Sequence, residues 1–149
     1  KESRRIAETI IRKRRSRSIK TTFDLIEIIK EVVPSRRLNK LLSQIFQSIR
    51  IEVNDELTSL KTMLLDGIDL LNQGGRFVVI SYHSIEDRIV KNLFKTGHLE
   101  GVVKKDIYGN EKRNIKQLNK KVIKASYSEI FDNPRSRSAR MRIAEKIQL

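Results

Sequence analysis

Residues 74–88 read GGRFVVISYHSIEDR and decide the fold of this 149-residue chain. A glycine pair, which tolerates positive φ, leads into the unbroken apolar run Phe77–Ile80, and such a run is typical of a strand covered on both faces. The spacing therefore predicts a strand over 76–82. His83 and Ser84 follow at its carboxyl end, where open α/β sheets bind their ligands. We predict an α/β fold with a site at that point.

Two interpretations of these polar residues stay open. Ser84 suits the N-cap of a helix over about 85–95, with Glu86 and Asp87 in the first turn beside unpaired N–H groups, so Ser84 and Asp87 can serve capping alone. Capping does not require His83, and histidine is the side chain suited to proton transfer near neutral pH. His83 and Ser84 are therefore the candidate catalytic residues.

The composition is strongly basic, with 32 Lys and Arg against 18 Asp and Glu and a formal net charge of +14. Residues 1–20 carry 9 basic and 2 acidic side chains, and residues 101–125 carry 8 and 2. This excess favours a polyanionic partner, nucleic acid first. The lack of Cys excludes disulfides and thiolate metal sites, and no metal site is predicted. No apolar run reaches the roughly 20 residues of a membrane span, so we predict a soluble, cytoplasmic protein without a membrane partner.

The rest of the pattern predicts helices before the strand and mixed structure after it. A basic helix over 2–13 precedes a second helix capped by Thr22, whose apolar face includes Phe23. From Leu38 to Leu71 apolar residues recur every three or four positions, which predicts one long helix to 72 or two nearly collinear ones. The later elements are expected to be a variable basic hairpin or loop over 97–120, an edge strand over 122–124, one helical turn from Ser126 through Phe131, and a final strand over 139–145.

Three longer motifs carry a family resemblance: FQSIRIEVNDEL at 46–57, ISYHSIEDRIVK at 80–91 and NPRSRSARMR at 133–142. In order and spacing they resemble the bacterial RsmH (MraW) family of S-adenosylmethionine-dependent methyltransferases of small-subunit ribosomal RNA. The resemblance implies a Rossmann-like class I methyltransferase sheet with a helical insertion. Residues 1–50 would be the later part of the insertion, and 51–149 the C-terminal half of the core with strands five to seven. The last strand, antiparallel, is expected between the other two.

The resemblance also implies an activity. It is methyl transfer from S-adenosylmethionine to the exocyclic amine of a cytidine in the decoding region of 16S rRNA, with 16S rRNA or the small ribosomal subunit as partner. The family's cofactor-binding part has no counterpart here, so the chain resembles the C-terminal half of an enzyme. Alone it is expected to bind no cofactor and to be inactive. A truncated sheet is expected to expose an edge that allows self-association.

Arg50 and Asn54 share a helix face at a spacing of four. Arg50 can pair with a phosphate while Asn54 contacts a base edge, or both can merely bind backbone. Arg88, on the helix after the strand, is expected to pair with Asp87 or Glu52 rather than with a ligand.

Further candidate rRNA-binding residues lie near the two ends of the chain. Arg135 and Arg137 follow Asn133 in a Pro-led turn, and arginine at this spacing suits phosphate clamping, although a plain surface turn is the alternative. The stripe of arginines on the first helix has no matching acids on its face, which favours contact with the rRNA backbone. Its members are Arg4, Arg5, Arg12, Arg14, Arg15 and Arg17, of which Arg14, Arg15 and Arg17 are the candidate contacts, and a solvated helix face is the alternative.

Two functions of other classes remain open. The charge alone would suit a non-enzymatic basic RNA-binding or ribosome-assembly protein, and a DNA-binding module comes third. A pure binder has no need to gather His83, Ser84 and Asp87 at the end of a buried strand, and this feature favours the enzyme. Only 5% of the residues are aromatic, which disfavours base stacking on a sheet face.

Overall fold

A computed structural model describes residues 2–111 and 113–148 and divides the chain into two compact units, Lys1–Glu56 and Leu57–Leu149. Residue 112 of the predicted basic segment lies outside the described residues, as do residues 1 and 149 at the limits of the predicted domains. In the described part of the chain no helix combines the length and apolar character needed to cross a membrane.

The first unit is helical. It contains α1 (Glu2–Ser16), α2 (Thr22–Lys30) and α3 (Ser35–Val53), and α4 (Glu56–Leu70) begins at its last residue. Its core forms where the apolar stripes of these helices meet, and the buried members are Ile6, Leu25, Ile29 and Val33. Phe23, predicted on the apolar face of α2, is 77% exposed instead, because Leu25 and Ile29 face the core.

The N-cap of α2 is Thr21, one residue before the predicted Thr22. The Thr21 hydroxyl accepts the N–H of Asp24 at 3.1 Å, and the Asp24 carboxylate accepts the N–H of Thr21 at 2.9 Å. Each side chain thus satisfies a backbone donor of the other, the arrangement called a capping box. Thr22 has no acid three positions later, so the pairing selects Thr21.

Of the two alternatives for this segment, one long helix to 72 or two helices, the chain has two, α3 and α4, separated in sequence by Asn54 and Asp55. Asn54 ends α3 with its N–H donating to the carbonyl of Arg50, and Asp55 has a left-handed φ of 49°. Asp is one of the few residues other than Gly that visit this region. Apolar periodicity continues across the break, and the pattern therefore could not reveal it.

The second unit is a three-stranded sheet with helices. Its strands are β1 (Arg76–Ser81), β2 (Ile115–Gln117) and β3 (Arg140–Lys146). The unit includes most of α4, and its further helices are α5 (Ser84–Thr96), α6 (Tyr127–Asp132) and a 3₁₀ helix over Pro134–Ser138. The strand order is β1-β3-β2, and β3 is antiparallel to both neighbours. The central, antiparallel position predicted for the last strand is confirmed.

The edge strand is not at the predicted 122–124. The three-residue β2 lies within the segment expected to be a hairpin or loop, and Ile123 forms only an isolated bridge with Met141. Between β2 and Ile123 the backbone of this segment moves away from β3, and the side chain of Asn119 forms hydrogen bonds to the β3 backbone in its place. Its Oδ1 accepts the N–H of Ile143 at 2.6 Å, and its Nδ2 donates to the carbonyl of Met141 at 3.3 Å.

The core of the second unit lies between the sheet and helices α4 and α5. Its fully or nearly buried members are Leu64, Ile68, Val79, Val90, Leu93, Phe94, Ile115 and Ala144. Strand β1 is covered on one face only, because Val79 is buried whereas Val78 and Ile80 are 51% and 55% exposed. The prediction of a strand buried on both faces is therefore wrong for this chain.

Candidate functional site

A polar cavity lies at the carboxyl end of β1. It has a volume of about 270 Å³, and we call it the His83 cavity. Side chains from three separate parts of the sequence reach it: the β1–α5 turn, the segment after β2, and the 3₁₀ helix with the start of β3. The polar residues that line it are Tyr82, His83, Ser84, Lys124, Arg137, Ser138 and Arg140. Three of them are cations, so the cavity suits an anionic or hydrogen-bonding ligand.

His83, not Ser84, is the N-cap of α5, contrary to the prediction. Its Nδ1 accepts the N–H of Glu86 at 3.4 Å, while the Glu86 carboxylate accepts the N–H groups of Tyr82 and His83 at 3.0 and 3.4 Å. Ser84 is the first helical residue, and its exposed side chain stays available at the cavity.

This cap fixes the tautomer of His83. Because Nδ1 accepts a hydrogen bond, the proton of the neutral ring is on Nε2. Nε2 lies 3.0 Å from Oε1 of Glu86, but the two atoms are not aligned for a hydrogen bond. The ring is nearly enclosed, with 13% of its side chain exposed. In this state neither ring nitrogen is a free proton acceptor.

Asp87 joins α5 to β3. Its carboxylate accepts two hydrogen bonds from Arg142, at 2.7 Å from Nε and 3.1 Å from Nη2, and a third from Arg140 at 3.3 Å. Burial raises the pKa of Asp87, but the hydrogen bonds and charges of Arg142 and Arg140 outweigh it, so the pKa lies below the ordinary value. Asp87 therefore pairs with Arg142 and Arg140 and not with Arg88, for which Asp87 was one of two predicted partners beside Glu52. Arg140 both braces Asp87 and lines the cavity.

The turn that carries Arg135 and Arg137 is held by hydrogen bonds between the side chains and the backbone of its own residues. The side-chain oxygen of Asn133 accepts the N–H of Arg135 at 3.3 Å, and its carbonyl accepts the hydroxyl of the buried Ser136 at 2.8 Å. Arg137 lines the His83 cavity, whereas Arg135 is exposed and outside the described lining. Asn133 therefore shapes the turn, and Arg137 is the member of this group at the site.

In the first unit, Arg50 and Asn54 meet on one carboxylate. Nε and Nη2 of Arg50 donate to Glu56 at 2.7 and 3.2 Å, and Nδ2 of Asn54 donates to the same group at 3.3 Å. Glu56 lies in the motif 46–57 but was not singled out.

The arginine stripe of α1 has more acidic partners than predicted. Arg4 pairs with Glu8 at 2.8 Å, and Arg17 pairs with Asp24 of α2 at 3.0 Å. Arg14 and Arg15 are exposed near the end of α1. The Arg17 side chain is still 83% exposed, so its pairing leaves it accessible.

Lys124 and Arg140 were missed as cavity residues. The segment of Lys124 reaches the cavity because Ile123 and Met141 exchange two backbone hydrogen bonds, of 3.0 and 2.8 Å. Arg140 is in the motif 133–142, and its position just after the predicted turn was the available signal. No sequence pattern indicated Lys124.

Comparisons with known proteins agree with the motifs. The model of the MraW methylase family matches residues 1–147. Proteins named ribosomal RNA small subunit methyltransferase H are similar to the chain: that of Parabacteroides distasonis is 46% identical over 147 residues, that of Phocaeicola vulgatus 48% over 146, and that of Azobacteroides pseudotrichonymphae 49% over 147. Each match covers 98–99% of this chain and 48% of the relative. The chain thus spans about half the length of these curated relatives.

Proposed function

Because the chain belongs to the MraW methylase family, we propose that it is the C-terminal, substrate-binding half of a methyltransferase of small-subunit ribosomal RNA. The whole enzyme would transfer a methyl group from S-adenosylmethionine to the exocyclic amine of a cytidine in the decoding region of 16S rRNA. The names of the relatives and the net charge of +14 support an rRNA substrate. In this proposal the first unit corresponds to the helical insertion and the second to strands five to seven of the core.

The observation that carries the proposal is the convergence at the His83 cavity. Ser84 and Arg137 are more than 50 residues apart in sequence, yet both line it. A target nucleotide offers a phosphate for Arg137 and base or ribose hydrogen-bonding groups for Ser84. Methylation of an amine depends mainly on aiming the nitrogen at the methyl donor, so side chains fixed by a helix cap and a rigid turn are well placed to contribute.

We assign His83 a positioning role. Its Nδ1 is engaged by the cap of α5, and its Nε2 carries the proton, so the neutral ring does not accept the proton of the amine. By fixing the first turn of α5, His83 orients Ser84 toward the cavity. Positioning is thus our proposal for His83, beside the proton transfer predicted from the sequence.

The His83 cavity does not fit S-adenosylmethionine. The cofactor carries a net positive charge, because its sulfonium and its ammonium outnumber its one carboxylate, whereas Lys124, Arg137 and Arg140 all line the cavity. Like charges at such short range oppose binding. We therefore propose that the rest of the enzyme holds the cofactor and that the 149-residue chain alone neither binds it tightly nor turns over. Calorimetric titration of the chain with S-adenosylmethionine tests this, and tight binding would contradict it.

The decisive experiment pairs this chain with the other half of a relative. The two halves are co-expressed, and methyl transfer to small ribosomal subunits is measured. We expect activity only with both halves and a roughly 10- to 100-fold lower kcat/KM for Arg137→Ala, which corresponds to the loss of one charged hydrogen bond. Arg135→Ala, in the same turn but outside the cavity lining, is the matched control and should cost much less.

Equal losses in the two arginine variants would contradict the assignment of the cavity. A complex that binds both S-adenosylmethionine and rRNA, yet transfers no methyl group, would favour the non-enzymatic RNA-binding function instead. Binding of cofactor and RNA is measured separately by calorimetry and fluorescence anisotropy, so a misassembled complex is recognised.

A further inference from the structure

A second cleft in the second unit is strongly basic. It has a volume of about 460 Å³ and lies between α5 and the edge strand β2. We call it the basic cleft. Five cationic side chains and one amide line it: Lys91 and Lys95 of α5, Lys116 and Gln117 of β2, and Arg113 and Lys120 from the adjoining segments.

The charge of the basic cleft is not compensated within its lining. Among the described residues that line it there is no Asp or Glu. Arg113 pairs with Glu111, which lies outside the lining, at 3.3 Å. Lys91 and Lys95 lie on one helix face at a spacing of four, where like charges repel. This repulsion disfavours the folded state unless an anion relieves it, which suggests that the cations serve binding rather than stability.

The basic cleft is held in shape before any ligand binds. Arg113 donates to the carbonyl of Lys95 at 3.4 Å, which ties the segment before β2 to the last turn of α5. On the other side, Gln117 donates to the carbonyl of Asn119 at 2.6 Å, and the Asn119 side chain is bonded to β3. The loop that carries Lys120 is thereby fixed. Cations on a pre-organised surface lose less entropy on binding.

A simpler explanation covers only part of the cleft. Lys95 is in the last turn of α5, where a cation interacts favourably with the helix dipole. Lys91 lies a turn earlier, Lys116 is on a strand, and Lys120 is in a loop, so the dipole does not account for them. The convergence of cations from a helix, a strand and a loop needs another reason.

We propose that the basic cleft binds the phosphate backbone of the rRNA strand whose target nucleotide occupies the His83 cavity. The proposal rests on the proposed function and adds to it a second contact surface. Helix α5 joins the two sites: at 1.5 Å per residue, Lys91 and Lys95 lie about 10 and 17 Å along the axis from Ser84. Nucleotides that flank the target would reach the cleft at this separation.

The test measures the salt dependence of RNA binding. The full chain and the variant K91Q/K95Q/K116Q are titrated against a fluorescein-labelled hairpin of the 16S decoding region over a series of KCl concentrations. Each phosphate contact contributes about 0.7–0.9 to the slope of log K against log salt, so the slope of the variant should be smaller in magnitude by about 2. The control K61Q/K104Q/K105Q removes the same charge from exposed positions outside the cleft and should keep the slope of the wild type.

Several outcomes would overturn the proposal. They are equal slopes for the two triple variants, no RNA binding by the wild-type chain, and cleft-dependent binding of poly-glutamate, lost in K91Q/K95Q/K116Q, by a chain whose RNA binding does not change in that variant, which would assign the cleft to an acidic protein. Urea unfolding followed by tyrosine fluorescence checks that the variants stay folded. Methyl transfer by the two-half complex is a separate measurement, so its failure would reject the proposed function while the slopes still decide on the cleft.

Discussion

Replacing Asp87 with Asn should destabilise the second unit through the charge it leaves behind. Arg142 is the buried partner, with 7% of its side chain exposed. In the wild type it shares the Asp87 carboxylate with Arg140, and three hydrogen bonds of 2.7–3.3 Å join the group. Asn keeps the shape of Asp but removes the negative charge, so the guanidinium of Arg142 stays buried without compensation.

The magnitude follows from this arrangement. Removing one partner of a buried ion pair costs about 3–5 kcal/mol. Asn still offers one acceptor oxygen, and Arg140 is partly exposed, so we expect the lower end, about 3 kcal/mol. With a urea m value of about 1–1.5 kcal/mol/M for a unit of this size, the midpoint should fall by about 2–3 M.

The assay is urea unfolding followed by tyrosine fluorescence. The chain has no Trp, and its three tyrosines, Tyr82, Tyr108 and Tyr127, all lie in the second unit, so the signal reports on that unit alone. Asp66→Asn, at an exposed position on α4, is the matched control and should stay within about 0.5 kcal/mol of the wild type. A loss below about 1 kcal/mol for Asp87→Asn would refute the reasoning.

The pH dependence gives an independent check. The pKa of Asp87 in the folded state lies below its ordinary value of 3.8. The contribution of the Asp87 carboxylate to the free energy of unfolding is therefore fully present above pH 3.8 and is lost as the pH falls through the folded-state pKa. The difference in the free energy of unfolding between the wild type and Asp87→Asn should therefore stay constant around neutral pH and become smaller below about pH 4. The double variant Asp87→Leu with Arg142→Met, which removes both buried charges, should recover much of the stability at neutral pH.

Two further predictions concern backbone and packing. A Cβ at Gly67 would lie 2.6 Å from Cζ of Phe77, whose ring packs against Phe94. Gly67→Ala should therefore lower the free energy of unfolding by about 1 kcal/mol, although alanine has the better helix propensity. Urea unfolding followed by tyrosine fluorescence measures this change, with Ser59→Ala on the same helix as the control, and a gain in stability would contradict the clash. Asp55 has a left-handed φ of 49°, a conformation that is strained for valine and free for glycine. Asp55→Val should therefore be about 1–2 kcal/mol less stable than Asp55→Gly. Thermal unfolding followed by circular dichroism measures the difference, and equal midpoints for the two variants would argue against strain at this position.

The start of α5 shows where sequence reasoning reached its limit. Ser84 with Asp87 and His83 with Glu86 have the same spacing of three, and Ser is the better N-cap by preference. The structure selects His83 because Asp87 is taken by Arg142 of β3, and only Glu86 is left to complete the cap. A contact between residues 55 positions apart thus decides a local choice.

Elements with a strong local signal were predicted well. Gly97 ends α5 in the left-handed conformation that glycine tolerates, and Ser126, where a helical turn was predicted to begin, caps α6. The edge strand was misplaced because the side chain of Asn119 substitutes for backbone pairing, and no residue pattern encodes that. Arg137 was recognised as a candidate from its turn, but its position in the cavity depends on how the turn packs beside β1.

The order of the strands has a consequence for biosynthesis. β3 is translated after the other two strands of this sheet, yet it lies between β1 and β2, and Arg76 pairs with Glu145 across almost 70 residues of chain. Among the strands that the structure describes, β1 and β2 have no pairing partner until residues 140–146 have left the ribosome. Arg142, the partner of Asp87, arrives with the same strand. A nascent chain interrupted before this point would lack both the centre of the sheet and the anchor of α5, and would be a natural target for chaperones or proteases.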